Sequence, residues 1–264
     1  MILLYSHNAN LVKLLVYQML NLLKHFGLYF IMMRKVMNMP EKWSAFRKQL
    51  LLELEKIGLN SIGIVLFISF FVGGVVCIQT ALNLENPLIP KYIIGLASRD
   101  SLILEFSPTM ISLILAGKVG SSIASEIGSM RVSEQIDALE IMGVNSASFL
   151  ILPKIIASLF FFPILVVLSM GIGMIGAWAG GLSVDVTTTG FIYGLRYEFI
   201  SFYVTYAIIK TLFFAFIVAS ISSYFGYHSK GGAIAVGRSS TEAVVYSSII
   251  ILVFNFILTK IILT

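Results

Sequence analysis

Two long stretches of the sequence contain no charged residue. One lies between Lys56 and Glu85, and the other lies between Lys154 and Asp185. An α-helix needs about 20 mostly apolar residues to cross the hydrocarbon core of a bilayer, so each stretch is long enough for one crossing. Charged residues make up only 12% of the chain, and a soluble domain carries about 25%. The sequence therefore predicts an all-α integral membrane protein and excludes a soluble enzyme or a nucleic-acid-binding domain as its main function.

The distribution of charge and apolar residues predicts five transmembrane helices. We expect two outside loops, at 85–100 and 185–198, and a polar inside segment at about 125–149. Residues 1–56 form an N-terminal segment, and residues 57–264 form the membrane domain. The predicted spans cover about 59–84, 101–124, 155–184, 199–226 and 242–264.

The N-terminal segment predicts an amphipathic helix over residues 11–33 that lies in the membrane interface. Lys13, Asn21 and Lys24 fall on one side of this helix, which is typical of interfacial helices. A weakly hydrophobic spanning helix is the alternative. Apolar residues recur on another side at spacings of three and four: Leu11, Leu15, Met19, Leu22, Phe26, Tyr29 and Met33.

The basic residues predict the orientation in the membrane, because lysine and arginine accumulate in cytoplasmic segments. With the N-terminus inside, thirteen lysines and arginines fall in the inside segments 1–56, 118–154 and 227–240, and three fall in the outside loops. We therefore expect a cytoplasmic N-terminus and an outside C-terminus.

Small residues in the third span allow close helix packing. Gly173, Ala177 and Gly181 form one ridge, and Gly176 and Gly180 form a neighbouring ridge. Spacings of four residues let two backbones approach each other. The partner helix belongs either to the same subunit or to a second copy of the chain.

The polar inside segment predicts a short helix of its own. Ser133 is a candidate N-cap, and Gly143 is a candidate C-terminal stop. Val132, Ile136 and Leu139 share one face. Two roles are open for this helix: it docks into a groove of a cytoplasmic partner, or it covers the inner end of the bundle.

The run from Ala116 to Lys154 resembles the signature of MlaE-type permeases, the membrane subunits of Mla/Mce-type lipid ABC transporters. That family typically reads AGR-x-GS, then AE-x-G-x-M-x-V-x-EQ-x-DAL-x-x-M, then a later PR. A second block, with Gly231-Gly232-Ala233 and Val236-Gly237, agrees as well. The first block matches at Ala116-Gly117-Lys118, Gly120-Ser121, Glu126, Gly128, Met130, Val132, Glu134-Gln135, Asp137-Ala138-Leu139, Met142 and Pro153-Lys154.

Some positions depart from the family pattern. Lys118 and Lys154 stand where the family usually has arginine, and Asn145-Ser146 replaces a usual Asp-Pro. The segment Leu104-Glu105-Phe106-Ser107-Pro108 keeps the acid and the proline of Arg-Glu-Leu-Gly-Pro but loses the arginine.

The resemblance implies a homodimer of permeases in the bacterial inner membrane that works with two separate cytoplasmic ATPase subunits. It also implies an Mce-domain protein on the outer face and a phospholipid or related lipid as substrate. The short helix would be the coupling helix, so that ATPase contacts would come from Glu134, Ile136, Asp137, Leu139 and Met142. The sequence has no GxxxxGK[ST] loop, so we expect no enzyme and no cofactor in this chain, with ATP bound by the partner.

Ionisable and polar groups inside spans are costly, and they are therefore candidates for the substrate path. Family positions and chemistry select Gly73, Val76, Gln79, Glu105 and Lys210. Each polar group has a structural alternative. Glu105 could be solvated near the headgroups, and Gln79 could make an interhelical hydrogen bond. In the functional interpretation Lys210 contacts a lipid phosphate or pairs with Glu105, and in the structural one it extends its ammonium to an interface.

Two other classes of function remain open at this stage. A self-sufficient channel or secondary transporter would need no ATPase, and such folds often show paired inverted repeats, which we do not find in this sequence. A scaffold of a membrane complex would not need a coupling helix. The three histidines are scattered and give no metal-ligand spacing.

Overall fold

The computed structural model describes residues 23–38, 43–84 and 90–263, and the regular elements within them are all helices. Five of these helices are long and apolar enough to cross a membrane, which confirms the predicted number of spans. We name them α2 (Trp43–Asn83), α3 (Tyr92–Val132), α5 (Ser146–Leu182), α7 (Ser201–Tyr227) and α8 (Ala233–Leu263). Three shorter helices are α1 (23–36), α4 (Gln135–Ile141) and α6 (Thr188–Arg196).

Helix α1 packs against the end of the bundle that carries α4, which we call the inner end. Met32 and Val36 are buried in the main core, and the Tyr29 hydroxyl donates to Ser220 Oγ at 2.9 Å. Phe26 is exposed although it was predicted to share a face with Tyr29. Residues 11–22 of the predicted helix lie outside the described residues, and the interfacial placement stays a prediction.

Helices α2 and α5 make the closest contact in the bundle, and glycines on both helices permit it. A Cβ atom on Gly73 would lie 1.9 Å from the carbonyl oxygen of Gly173, and one on Gly176 would lie 1.9 Å from that of Phe70. Gly180 meets the backbone of Gly74 in the same way. The small residues of the third span therefore pack within this chain.

The predicted outside loops contain helical structure, which corrects their assignment as loops. Helix α3 begins at Tyr92, and α6 occupies most of the second loop. The two segments pack together, because a Cβ atom on Gly194 would lie 2.1 Å from the Tyr92 carbonyl oxygen. The first segment is the beginning of spanning helix α3, and α6, with nine residues, is too short to cross a membrane.

The buried Arg99 fixes the end of α6. Its guanidinium donates to the carbonyl oxygens of Leu195 and Tyr197, both at 2.8 Å, and it pairs with Asp100. The last carbonyls of a helix have no intrahelical partner, so a buried cation at this position satisfies them and complements the helix dipole.

The polar inside segment is shorter than predicted, because α3 continues to Val132. Ser133 does not cap α4; its hydroxyl donates to the Ser129 carbonyl oxygen at the end of α3. Glu134 precedes α4 with a positive φ of 58°. Gly143 ends α4 with a φ of 77°, which confirms the predicted stop. Helix α8 begins at Ala233 rather than near residue 242.

The contact between α2 and α5 predicts that alanine substitution of two glycines of α5 affects stability unequally. Gly176→Ala would place a Cβ against the Phe70 backbone, so the helices must separate, at a cost of about 1–3 kcal/mol. Gly171→Ala is the matched control, because nothing lies within 4 Å of its Cβ position. We expect Gly176→Ala to lower the thermal unfolding midpoint in detergent and Gly171→Ala to leave it unchanged or raise it. Equal midpoints for the two variants would contradict the backbone contact.

Candidate functional site

The acid and the base predicted inside the spans form an ion pair. Lys210 on α7 places its Nζ 2.8 Å from Oε1 of Glu105 on α3. The Lys210 side chain is fully buried, and that of Glu105 is 40% exposed. Lys210 Nζ also donates to the Leu104 carbonyl oxygen at 3.2 Å and lies 4.9 Å from the centre of the Tyr206 ring. Lys210 therefore neutralises its charge by pairing and does not extend to an interface.

Helix α8 completes this site with two polar side chains. Asn255 Nδ2 donates to Glu105 Oε2 at 3.1 Å, and Thr259 Oγ1 donates to Glu105 Oε1 at 3.2 Å. The Thr109 hydroxyl on α3 donates to Asn255 Oδ1 at 2.9 Å. Both carboxylate oxygens of Glu105 are thus occupied. We call this set the Glu105 cluster: Glu105, Thr109, Tyr206, Lys210, Asn255 and Thr259.

A local change in helix geometry positions the acid. The residues Leu102–Met110 form a π-helical stretch inside α3, and this stretch contains Pro108. Proline has no N–H group and clashes with the preceding turn, so it disfavours regular α-helical bonding there. A π-helical stretch changes the direction in which side chains leave the helix and is frequent at functional sites. Glu105 lies in the middle of this stretch.

The remaining predicted path residues lie on α2 and divide into two groups. Gly73 contacts the α5 backbone, and Val76 is buried in a small core cluster with Leu102. Within one chain these two residues therefore fill helix contacts. Gln79 is exposed. A lipid path past these residues stays a prediction, and the structure leaves only Gln79 and Glu105 accessible to it.

The predicted coupling residues on α4 also divide into two groups. Ile136 is fully buried, and Leu139 packs against the main core. These two residues cover the inner end of the bundle, as the second of the two predicted roles required. Glu134 and Met142 point outward, with Met142 67% exposed. Asp137 pairs with Arg131 at 2.6 Å.

Hydrogen bonds attach α4 to two spanning helices. The hydroxyls of Tyr227 at the end of α7 and Ser146 at the start of α5 each donate to Glu140 Oε1 at 2.9 Å. These two bonds hold the pKa of Glu140 below its usual range, and the bond from Tyr227 has the larger effect. The carboxylate is therefore ionised at neutral pH, and it joins α4 to α5 and α7.

A second buried lysine lies at the inner end. Lys154 on α5 contacts Glu53 Oε1 on α2 at 2.5 Å and Glu126 Oε2 on α3 at 2.9 Å. Lys56 pairs with Glu126 from the other side at 2.6 Å. Removing a single partner from such a buried set leaves an uncompensated charge, which is strongly unfavourable. The family positions Glu126 and Lys154 thus hold three helices together.

Sequence reasoning missed several of these residues for different reasons. Asn255 and Thr259 are four residues apart in an apolar span, so they share one helix face. Two polar residues on one face of a span could have indicated a polar site. Glu53 gave no such signal. It stands in a charged segment, and its partner Lys154 is 101 residues away in sequence.

Comparison with known proteins gives one family. The family model described as Permease MlaE matches residues 50–261. A probable ABC transporter permease protein of Rickettsia prowazekii is 34% identical over 237 residues, which cover 88% of each chain. One of Synechocystis sp. is 36% identical over 219 residues, 81% of each chain. Protein TRIGALACTOSYLDIACYLGLYCEROL 1, chloroplastic, of Arabidopsis thaliana is 33% identical over 214 residues, 79% of this chain and 59% of that one.

The Glu105 cluster predicts that the loss of Glu105 destabilises the chain more than the loss of Lys210. Glu105→Leu leaves the fully buried Lys210 ammonium without its counter-ion, at a cost of about 3–5 kcal/mol. Lys210→Met should cost less, because Glu105 is partly exposed and keeps the donors of Asn255 and Thr259. The double variant should recover most of the loss. Thermal unfolding midpoints in detergent measure all three, and a double variant as unstable as Glu105→Leu would contradict the pairing.

Proposed function

Because the chain belongs to the MlaE permease family, we propose that it is the transmembrane subunit of an ABC transporter that moves a phospholipid or related lipid between the inner membrane and the cell envelope. The observation that carries this proposal is the Glu105 cluster, a paired charge within the spans that stays partly exposed. The name of the Arabidopsis relative, which is that of a glycolipid, supports a lipid substrate.

The chemistry of the Glu105 cluster suits a lipid headgroup next to apolar walls. A lipid needs apolar surface for its tails and hydrogen-bond donors for its phosphate. Glu105 is an anion and would repel phosphate, so its role is to hold Lys210 and the polar groups of α8 in place. Exposed apolar side chains of α2, such as Phe67, Phe71 and Val75, supply surface for tails.

The proposed assembly contains two copies of this chain, two cytoplasmic ATPase subunits that bind ATP, and an Mce-domain protein on the outer face. The basic residues support a cytoplasmic inner end, since thirteen of them fall in the predicted inside segments. Helix α4 lies at that end with Met142 directed away from the bundle, where a cytoplasmic subunit can reach it.

The test of function is ATP-driven lipid transfer by the complete complex in vesicles. Glu105→Arg places two cations side by side and should lower transfer at least about 10-fold. Glu105→Gln keeps size and hydrogen bonding and should retain more activity. Glu198→Arg, at an exposed position, is the matched charge reversal and should leave transfer unchanged. Lipid transfer without the ATPase and ATP would instead favour a self-sufficient channel or secondary transporter.

The exposed end of α4 predicts where the ATPase binds. Met142→Asp should weaken ATPase association at least about 10-fold while the chain still folds, because it places a charge at a docking surface. Ile192→Asp is the control at the opposite end, where another partly exposed apolar residue lies. Co-purification with the ATPase measures both. Ile136→Asp should instead destabilise the chain itself, since that side chain is buried.

This test has a clear opposing outcome. If Met142→Asp co-purifies with the ATPase as well as the unmodified chain does, α4 is not the coupling element. In that case α4 only covers the bundle, which is the second role that the sequence left open.

A further inference from the structure

A polar cavity of about 250 Å³ lies between α2 and α3 at the inner end, separate from the Glu105 cluster. It is flanked by two π-helical turns, Glu55–Leu59 in α2 and Ala116–Gly120 in α3. At about 30 Å³ of liquid volume per water molecule, it has room for roughly eight waters or one small polar group. Such turns are rare in proteins and are frequent at functional sites.

Two buried polar atoms on the cavity wall have no hydrogen-bond partner. Ser61 is fully buried, and its Oγ is unpaired. Glu53 is almost fully buried; its Oε1 accepts from Lys154, but its Oε2 is unpaired. Buried polar groups in proteins are nearly always satisfied. Both residues line the cavity, so two unsatisfied polar groups lie in its wall.

The charges around the cavity favour an anion. Lys56 and Lys118 line it. Lys118 donates to the neutral carbonyl oxygen of Asn60, and an ammonium has three N–H donors, so further donors remain for a ligand. Lys154 lies behind the wall and pairs with Glu53 and Glu126. Three lysines and two glutamates leave a net charge of +1.

The surroundings of the cavity match the boundary between headgroups and tails. Lys56 is the last charge before the uncharged stretch of the first span. Leu52, Leu59 and Ile64 are exposed on α2 on either side of this level. Acyl chains can lie along these side chains while a polar group enters the cavity.

We propose that this cavity binds a phosphate-bearing group, held by Lys56 and Lys118, whose hydrogen-bond donor satisfies Glu53 Oε2 and Ser61. The phosphate belongs either to the headgroup of a lipid in the inner leaflet or to free phosphate. The lipid source rests on the proposed function and makes the cavity an entry site at the membrane surface.

Alkylation of a reporter cysteine tests this proposal in the purified full chain. Ser122 is exposed and lines the cavity, so Ser122→Cys reports occupancy, whereas the native Cys77 is buried. The probes are short-chain phosphatidylethanolamine, short-chain phosphatidylcholine and inorganic phosphate. Binding should slow alkylation, and comparison of the lipid and phosphate arms identifies the source.

Two substitutions and one control separate binding from folding. The half-protecting concentration is the probe concentration that halves the rate of alkylation. Ser61→Ala should raise it about 2- to 10-fold, as expected for the loss of one neutral hydrogen bond. It should not lower the thermal midpoint, since it removes an unpaired hydroxyl. Lys118→Met should raise that concentration about 10-fold or more. Lys48→Met, at an exposed position earlier on α2, should have no effect.

The proposal is overturned if no probe slows alkylation, or if protection is the same in Ser61→Ala and Lys118→Met as in the unmodified chain. Its failure is distinguishable from failure of the proposed function. Loss of protection with ATP-driven lipid transfer intact rejects only the cavity. Protection without any ATP-driven transfer rejects only the transporter.

Discussion

A lysine ammonium among apolar helices must be neutralised where it lies, because moving a charge into hydrocarbon is costly. Lys210 meets this requirement through Glu105, whose carboxylate also accepts from Asn255 and Thr259. The charge therefore joins α3, α7 and α8 at one point. None of these three helices can rotate without breaking a hydrogen bond or exposing the ammonium, so the pair fixes their register.

The inner end solves the same problem with different helices. Lys154 on α5 is neutralised by Glu53 of α2 and Glu126 of α3. Helix α3 supplies an acid to both buried lysines, and the glycine contact joins α2 to α5. Helix α3 is thus common to the two charge sites, and the glycine contact adds α2 and α5 packing to them.

The sequence could predict the spans because an uncharged stretch of sufficient length has few alternatives to crossing a bilayer. It could not predict which apolar face meets lipid and which meets protein. Gly73 and Val76 were assigned to a lipid path, yet their spacing is equally typical of a packed helix contact. The same ambiguity placed Ile136 on a docking face when it faces the bundle. Periodicity gives a face, and only the tertiary contacts identify its partner.

Helix α7 offers a physical connection between the two ends of the molecule. Tyr227 at its inner end binds Glu140 of α4, and Lys210 lies 17 positions earlier on the same helix. At 1.5 Å per residue the two are about 26 Å apart along one continuous helix. A helix of this length transmits a shift or rotation with little bending. The same helix therefore contacts α4 at one position and the polar groups of α3 and α8 at another. Such a connection requires α4 to be attached to α7, and the bond from Tyr227 to Glu140 provides that attachment.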